Sequence, residues 1–250
     1  FTISTTFSRM LSLPKVCKRG QVCHIYATLP EDASTSIIIN VHTGIDVDSI
    51  SINYDTFEKF SKEGKLNYTQ PAESFIPPLE DIGSRVVHSA YLYNLLPDTL
   101  YSLQVVYAGN VLKSANFTTF PSSKMESNFT LIVGGDLGNT PTANSLNERI
   151  APYNPRGIIM GGDIVYDNGD ISCFYCWDAF LSQFEQLNEK LGRLVPLILL
   201  FGNHDLGLDP YQFIPVDHST NLLYFYFPQH STNTSNNTLE PKVPRIEDRR

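Results

Sequence analysis

Positive charge, long apolar runs and cysteine are all scarce in this chain of 250 residues. Lys and Arg number 18 against 26 Asp and Glu, a formal net charge of -8. A protein that grips a nucleic-acid backbone needs a basic face, so nucleic acid is not an expected partner. The longest apolar run, Leu194 to Phe201, is short and broken by Pro196. A membrane-spanning helix needs roughly 18 or more apolar residues, so no membrane span is expected. Charged residues make up only 18% and hydrophobic ones 42%, the composition of a globular chain with material for a core. The four cysteines fall into two close pairs, Cys17/Cys23 and Cys173/Cys176. They are read as candidates for two local disulfides, which places the protein on the secretory route, secreted or in a lysosome-like or vacuolar compartment. Five N-x-S/T sequons, at Asn67, Asn116, Asn128, Asn233 and Asn236, lend this weak support as candidate glycosylation sites. The first residue is Phe, as expected of a chain processed or cut at its start.

Two kinds of pattern divide the chain. Residues 1–122 read as all-β. Ser36 to Thr43 is β-branched, and Tyr101, Leu103, Val105 and Tyr107 alternate with Ser102, Gln104 and Val106. A turn at Gly109-Asn110 would return the chain along Val111 to Phe120 as a hairpin. After the Pro121-Ser122-Ser123-Lys124 linker the period changes. Residues 127–228 read as strand, helix, strand, helix, strand: Phe129 to Val133, a helix opened by Thr140-Pro141, Gly157 to Met160, a long helix and Leu194 to Phe201. The long helix carries Trp177, Phe180, Leu181, Phe184, Leu187 and Leu191 on one stripe and stops at Gly192. That order implies a parallel sheet in an α/β domain. Residues 229–250 are polar and read as a loop or disordered end.

Each α/β strand ends alike: Gly134-Gly135-Asp136-Leu137-Gly138, then Gly161-Gly162-Asp163-Ile164-Val165-Tyr166, then Gly202-Asn203-His204-Asp205. Parallel strands bring their carboxyl ends to one edge, so Asp136, Asp163, Tyr166, Asn203 and His204 are expected in one crevice. Two carboxylates there repel unless a cation lies between them, and oxygen donors suit hard metal ions.

Two family resemblances follow from these residues. The L-x-P-x-T-x-Y spacing from Leu95 to Tyr101 is similar to that of fibronectin type III domains, with Tyr101 as the tyrosine corner of an immunoglobulin-like sandwich. The motifs G-D-x-G, G-D-x-x-Y and G-N-H-D resemble those of the metallophosphoesterases, and specifically the purple acid phosphatases. Gly138 stands where most metallophosphoesterases carry a metal-binding His, and Tyr166 supplies an anionic oxygen instead. The resemblance implies two domains, a fibronectin-like sandwich and then an incomplete βαβαβ part of a metallophosphoesterase domain. It implies an acid phosphatase that hydrolyses small phosphate monoesters with Fe(III) and a divalent metal (Fe, Zn or Mn). Asp136 and Tyr166 would bind the ferric ion, Asp163 would bridge, Asn203 would bind the divalent ion, and His204 would act on the phosphate or leaving group. Asp205 would orient His204 from behind.

The family's later V-x-x-H and G-H-x-H motifs are missing. His24, His42 and His88 lie in the β half and read as surface or packing residues; His218 and His230 lack the spacing of ligands. The expectation is therefore about half of a binuclear site, weak metal binding, little turnover, and an uncovered strand edge after Leu199. The alternatives are a phosphoesterase acting on diesters or nucleotides, and a non-catalytic binding protein with a remnant phosphatase domain. Cys173-x-x-Cys176 reads as a structural disulfide or plain thiols rather than a redox pair, and Asp167-Asn168-Gly169-Asp170 as a turn at the cleft rim.

Overall fold

The computed structural model describes residues 16–208 and 222–227. The polar segment 229–250, with Asn233 and Asn236, lies outside the described residues, as do His218 and His230.

The first half is a β sandwich. Strands β1 (Val22–Thr28), β2 (Ile37–Thr43), β5 (Glu73–Phe75) and β6 (Val86–Leu92) form one antiparallel face in the order β5-β6-β2-β1. Strands β3 (Ser51–Thr56), β4 (Tyr68–Pro71), β7 (Leu100–Tyr107) and β8 (Asn110–Thr118) form the other, in the order β4-β3-β7-β8. Helix α1 (Phe57–Glu63) follows β3, with Thr56 as its N-cap and Gly64 ending it in the left-handed region. Period-2 alternation sends Ile25, Ala27, Ile37, Ile39, Val41, Leu103 and Val105 into the core between the sheets. The tyrosine corner forms: the Leu96 N–H donates to the Tyr101 hydroxyl oxygen at 2.8 Å, tying the incoming loop to β7. The β7–β8 hairpin turns one residue earlier than its sequence implied. Tyr107 pairs with Asn110, and the loop is Ala108-Gly109, with φ of 47° and 79°. Two positive φ values match the twist of a two-residue hairpin, and glycine adopts one without strain.

The second half places β9 (Leu131–Gly134), α2 (Pro141–Glu148), β10 (Gly157–Met160), α3 (Phe174–Leu191) and β11 (Leu197–Leu199) in the expected order. Thr140 caps α2 by accepting from the Ala143 N–H, with Pro141 at the first position. The three strands are parallel, in the order β11-β10-β9. Pro196 delays the last strand, so it is shorter than the apolar run that suggested it. A final helical turn, α4 (Leu222–Tyr226), buries Leu222, Leu223 and Tyr226 beside the Trp177 stripe of α3.

Two expectations change here. The two halves do not have separate sheets: β1 pairs with β11 through Thr28 and Leu197, which makes one seven-stranded mixed sheet. This contact covers β11 at Leu197, while Leu200, just past Leu199, is exposed. The open edge is β9, where Leu131 and Val133 are exposed. The apolar run Gly157–Met160, β10, lies between β11 and β9, with a hydrogen-bonded neighbour on each side.

Because the sheet continues, the outer face of β1, β2 and β6 is covered as well, and its polar residues are buried. His24 and His42 on that face are fully buried; His88, opposite Val41 on the inner face, is fully buried too, so none of the three is on the surface. His24 Nε2 lies 3.1 Å from Asp178 Oδ1 on α3, and Arg85 grips the same carboxylate with two hydrogen bonds of 2.5 and 3.0 Å. Burial works against the Asp178 carboxylate, but hydrogen bonds from His24 and Arg85 outweigh it and hold its pKa below the usual range.

Candidate metal centre

The carboxyl ends of β9 and β10 continue as bonded loops past the strands. Asp136 N–H donates to Gly162 O and Gly138 N–H to Ile164 O, both at 3.0 Å. This zipper brings the first two motifs together. Gly202 brings the third. A Cβ there would stand 2.1 Å from Asp163 Oδ1, and one on Gly162 would stand 2.6 Å from Gly202 N, so both positions must be glycine for the loops to close. The glycines thus let the loops approach each other. Asp205 locks the arrangement: it is fully buried, and its carboxylate accepts from Ile164 N–H at 2.8 Å and Gly202 N–H at 3.0 Å. Burial pushes its pKa up. Asp205 thus ties the second-motif loop to the third.

The side chains meet on an open face. Tyr166 donates from its hydroxyl to Asp136 Oδ1 at 3.1 Å. Desolvation and the adjacent Asp136 carboxylate push the Tyr166 pKa up. Asp163 Oδ1 accepts the His204 backbone N–H at 3.0 Å. The His204 ring packs on Tyr166 with centroids 4.6 Å apart. Its Nδ1–H donates to Asn168 Oδ1 at 2.5 Å, a contact that a rim position alone did not foretell. Asn203 is exposed beside them.

Backbone strain concentrates here. Asp136, Asp163, Tyr166 and Asn168 have φ of 49°, 50°, 57° and 53°. Asp and Asn tolerate that region, but a bulky aromatic rarely adopts it, and such conformations persist where the surroundings enforce them. Behind the strained loop, Asp167 is buried and accepts from Trp177 Nε1 at 2.6 Å, and its burial raises the carboxyl pKa to about 6.

The donor set fits a hard cation: two carboxylates, a phenol and a carboxamide, all oxygen. Among the described residues no group of three or more His, Cys, Asp or Glu side chains stands together for a metal. The remaining candidates are placed as follows. Cys17 and Cys23 are joined by a disulfide. Cys173 and Cys176 are not, which corrects the expected second bridge; the Cys173 thiol lies 3.6 Å from the Tyr175 hydroxyl instead. Asn128 is exposed; Asn67 is exposed and bonded to Asp55 at 2.9 Å; Asn116 is half-buried and bonded to Gly192 O at 3.2 Å. No helix among the described residues is long and apolar enough to cross a membrane.

Residues 129–242 match the family model of the calcineurin-like phosphoesterases. No curated protein matches the chain in sequence. Among solved structures, the chain is similar to the purple acid phosphatase PPD1 of yellow lupin (Lupinus luteus) seeds, with a TM-score of 0.60 and 19% identity over 80% of this chain and 38% of that one. It also matches PhoD at a TM-score of 0.48 and 10% identity, over 78% of this chain and 42% of that one. The fn3 domain of human contactin 1 matches at a TM-score of 0.29 and 16% identity, over 51% of this chain and 100% of that domain. The chain thus spans well under half the length of the lupin enzyme.

Proposed function

We propose, from the match of residues 129–242 to the calcineurin-like phosphoesterase family model, that the chain is a metal-dependent acid phosphatase of the purple acid phosphatase type, acting on small phosphate monoesters. The observation that carries this reading is the Tyr166–Asp136 hydrogen bond, which joins the second motif to the first on the open edge of the sheet. Asp136 and Tyr166 would hold Fe(III), Asp163 would be shared, and Asn203 would hold the divalent ion, Fe, Zn or Mn, through its amide oxygen. Such a pair, when bound, supplies Lewis acidity and lowers the pKa of water. The chain's own residues do the rest. Asn168 accepts from Nδ1 of His204 and so fixes its tautomer, which assigns proton exchange with the leaving oxygen to Nε2. Asp205 and the two glycines hold the loops in register, so that the donors do not reorganise on binding. The protein would work on the secretory route.

The test is to load the whole chain with Fe(III) and Zn(II) in excess and record its visible spectrum and its hydrolysis of p-nitrophenyl phosphate. A tyrosinate-to-iron absorption band is expected, lost in Tyr166→Phe, with low turnover abolished in Asp163→Asn. Iron bound without a band that depends on Tyr166 would overturn the ferric assignment. A band without any turnover would favour a non-catalytic binding protein.

A further inference from the structure

The two cysteine pairs are in opposite states. Cys17–Cys23 is closed and buried, whereas Cys173 and Cys176 are both thiols and both half-buried. Cys173 ends the 3-10 turn Ile171–Cys173 and is the N-cap of α3, an 18-residue helix; Cys176 lies in its first turn. The open N–H groups of a helix start favour a thiolate there. The Tyr175 hydroxyl lies 3.6 Å from the Cys173 sulfur. The neighbouring Cys176 thiol pulls Cys173 down to about 7, and Cys173 pushes Cys176 up, an asymmetry that suits one attacking and one resolving thiol. Residues spaced C-x-x-C at a helix start can also close into a bridge.

We propose that Cys173 and Cys176 form a reversible dithiol–disulfide site that exchanges with small-molecule disulfides, with Cys173 as the attacking sulfur. The Cys173 thiolate attacks one sulfur of the disulfide and expels a thiolate, which takes up a proton. Cys176 then loses its proton and attacks the Cys173 sulfur of the mixed disulfide, expelling the second thiol. The pair gives up two electrons, and the small disulfide leaves as two thiols.

The site has a built-in reporter. The carbonyl of Cys176 accepts from Asn139 Nδ2 at 3.0 Å, and Asn139 follows the first aspartate motif. The next residue, Trp177, bonds to Asp167 at 2.6 Å, in the loop of the second motif. Trp177 is the chain's single tryptophan, so its emission reads this turn alone. Closing the bridge reshapes the first turn of α3 between those two contacts.

The experiment equilibrates the whole chain in buffers of reduced and oxidised glutathione at rising ratio. Free thiols are then trapped with a maleimide, the peptide carrying both cysteines is weighed, and tryptophan emission is followed in parallel. The expected result is passage from two labels to none as one two-electron transition, with emission changing at the same ratio. In Cys176→Ser, Cys173 should accumulate as a mixed disulfide with glutathione; in Cys173→Ser, Cys176 should not. Two labels throughout the series would overturn the proposal. So would zero labels at every ratio until the protein is denatured in strong reductant, which would mark a fixed structural bridge.

Discussion

The buried seam between the two halves and the open loop cluster at the sheet edge are built from similar residues, yet they use them oppositely. In the seam, Arg85, His24 and Asp178 are nearly without solvent access, and the carboxylate is matched by donors on two sides. Among the loops, Asp136, Tyr166 and Asn203 face solvent, on backbone that in part occupies the left-handed region. The first arrangement holds the fold together because every charge is answered from within. The second contributes little to folding and leaves its oxygens for something from outside.

Breaking the seam should have the largest effect. Asp178→Ala leaves the Arg85 guanidinium buried without its carboxylate, and removing one partner of a buried pair costs about 3–5 kcal/mol. A urea titration that finds less than about 1 kcal/mol would mean that the seam is wetter or looser than its geometry. Asp178→Asn should fall between, since the amide still accepts one bond.

A buried histidine of the sandwich sharpens the contrast by its dependence on pH. His88 Nε2 lies 2.9 Å from the Thr43 hydroxyl and Nδ1 2.8 Å from that of Ser74, and the Asp48 carboxylate and the Val47 backbone only partly offset its burial. Burial depresses its pKa to about 4. The unfolded chain, at the ordinary value near 6.5, takes up the proton first as pH falls. The stability that His88 contributes is therefore full above about pH 6.5 and lost as pH falls towards 4, by up to roughly 3 kcal/mol. His88→Gln retains hydrogen-bonding groups without the titration. Its unfolding free energy should fall less between pH 7 and pH 4.5 than that of the parent; equal losses would assign the acid limb to other groups.

What could be read from the sequence follows the range of the interactions. The sandwich was legible because its strands alternate locally and Tyr101 lies five residues from its partner Leu96. The loop cluster was legible because three Gly-rich strand ends repeat, and parallel topology does the gathering. The seam was not. Arg85 and Asp178 are 93 residues apart, His24 and Asp178 154 apart, and nothing in one strand tells that its second face is covered. The edge position of β9 was not legible either, since an apolar run looks alike at the centre and at the rim of a sheet. Asn168 was legible as a turn residue, but not as the partner of His204, because that contact depends on how two loops close.

Asn168 gives the smallest effect on folding and the finest test of the comparison. Its side chain bonds to a half-buried ring, and its backbone φ of 53° is one that alanine adopts less readily than asparagine. Asn168→Ala should therefore cost no more than about 1–2 kcal/mol of stability, the sum of a lost bond and a poorer left-handed residue. Asn168→Gly removes the same bond while relieving the backbone, and should cost less than alanine. Both should lower kcat in a metal-loaded, active protein and leave KM nearly unchanged, because the tautomer of His204 is no longer fixed while the phosphate-binding groups remain. Asn168→Asp keeps an acceptor at the same place and should restore much of the rate, shifting its dependence on pH upward as the carboxylate favours the imidazolium. If glycine and alanine leave kcat and its pH profile untouched, the bond between Asn168 and His204 belongs with the seam's structural contacts and not with the chemistry of the open edge.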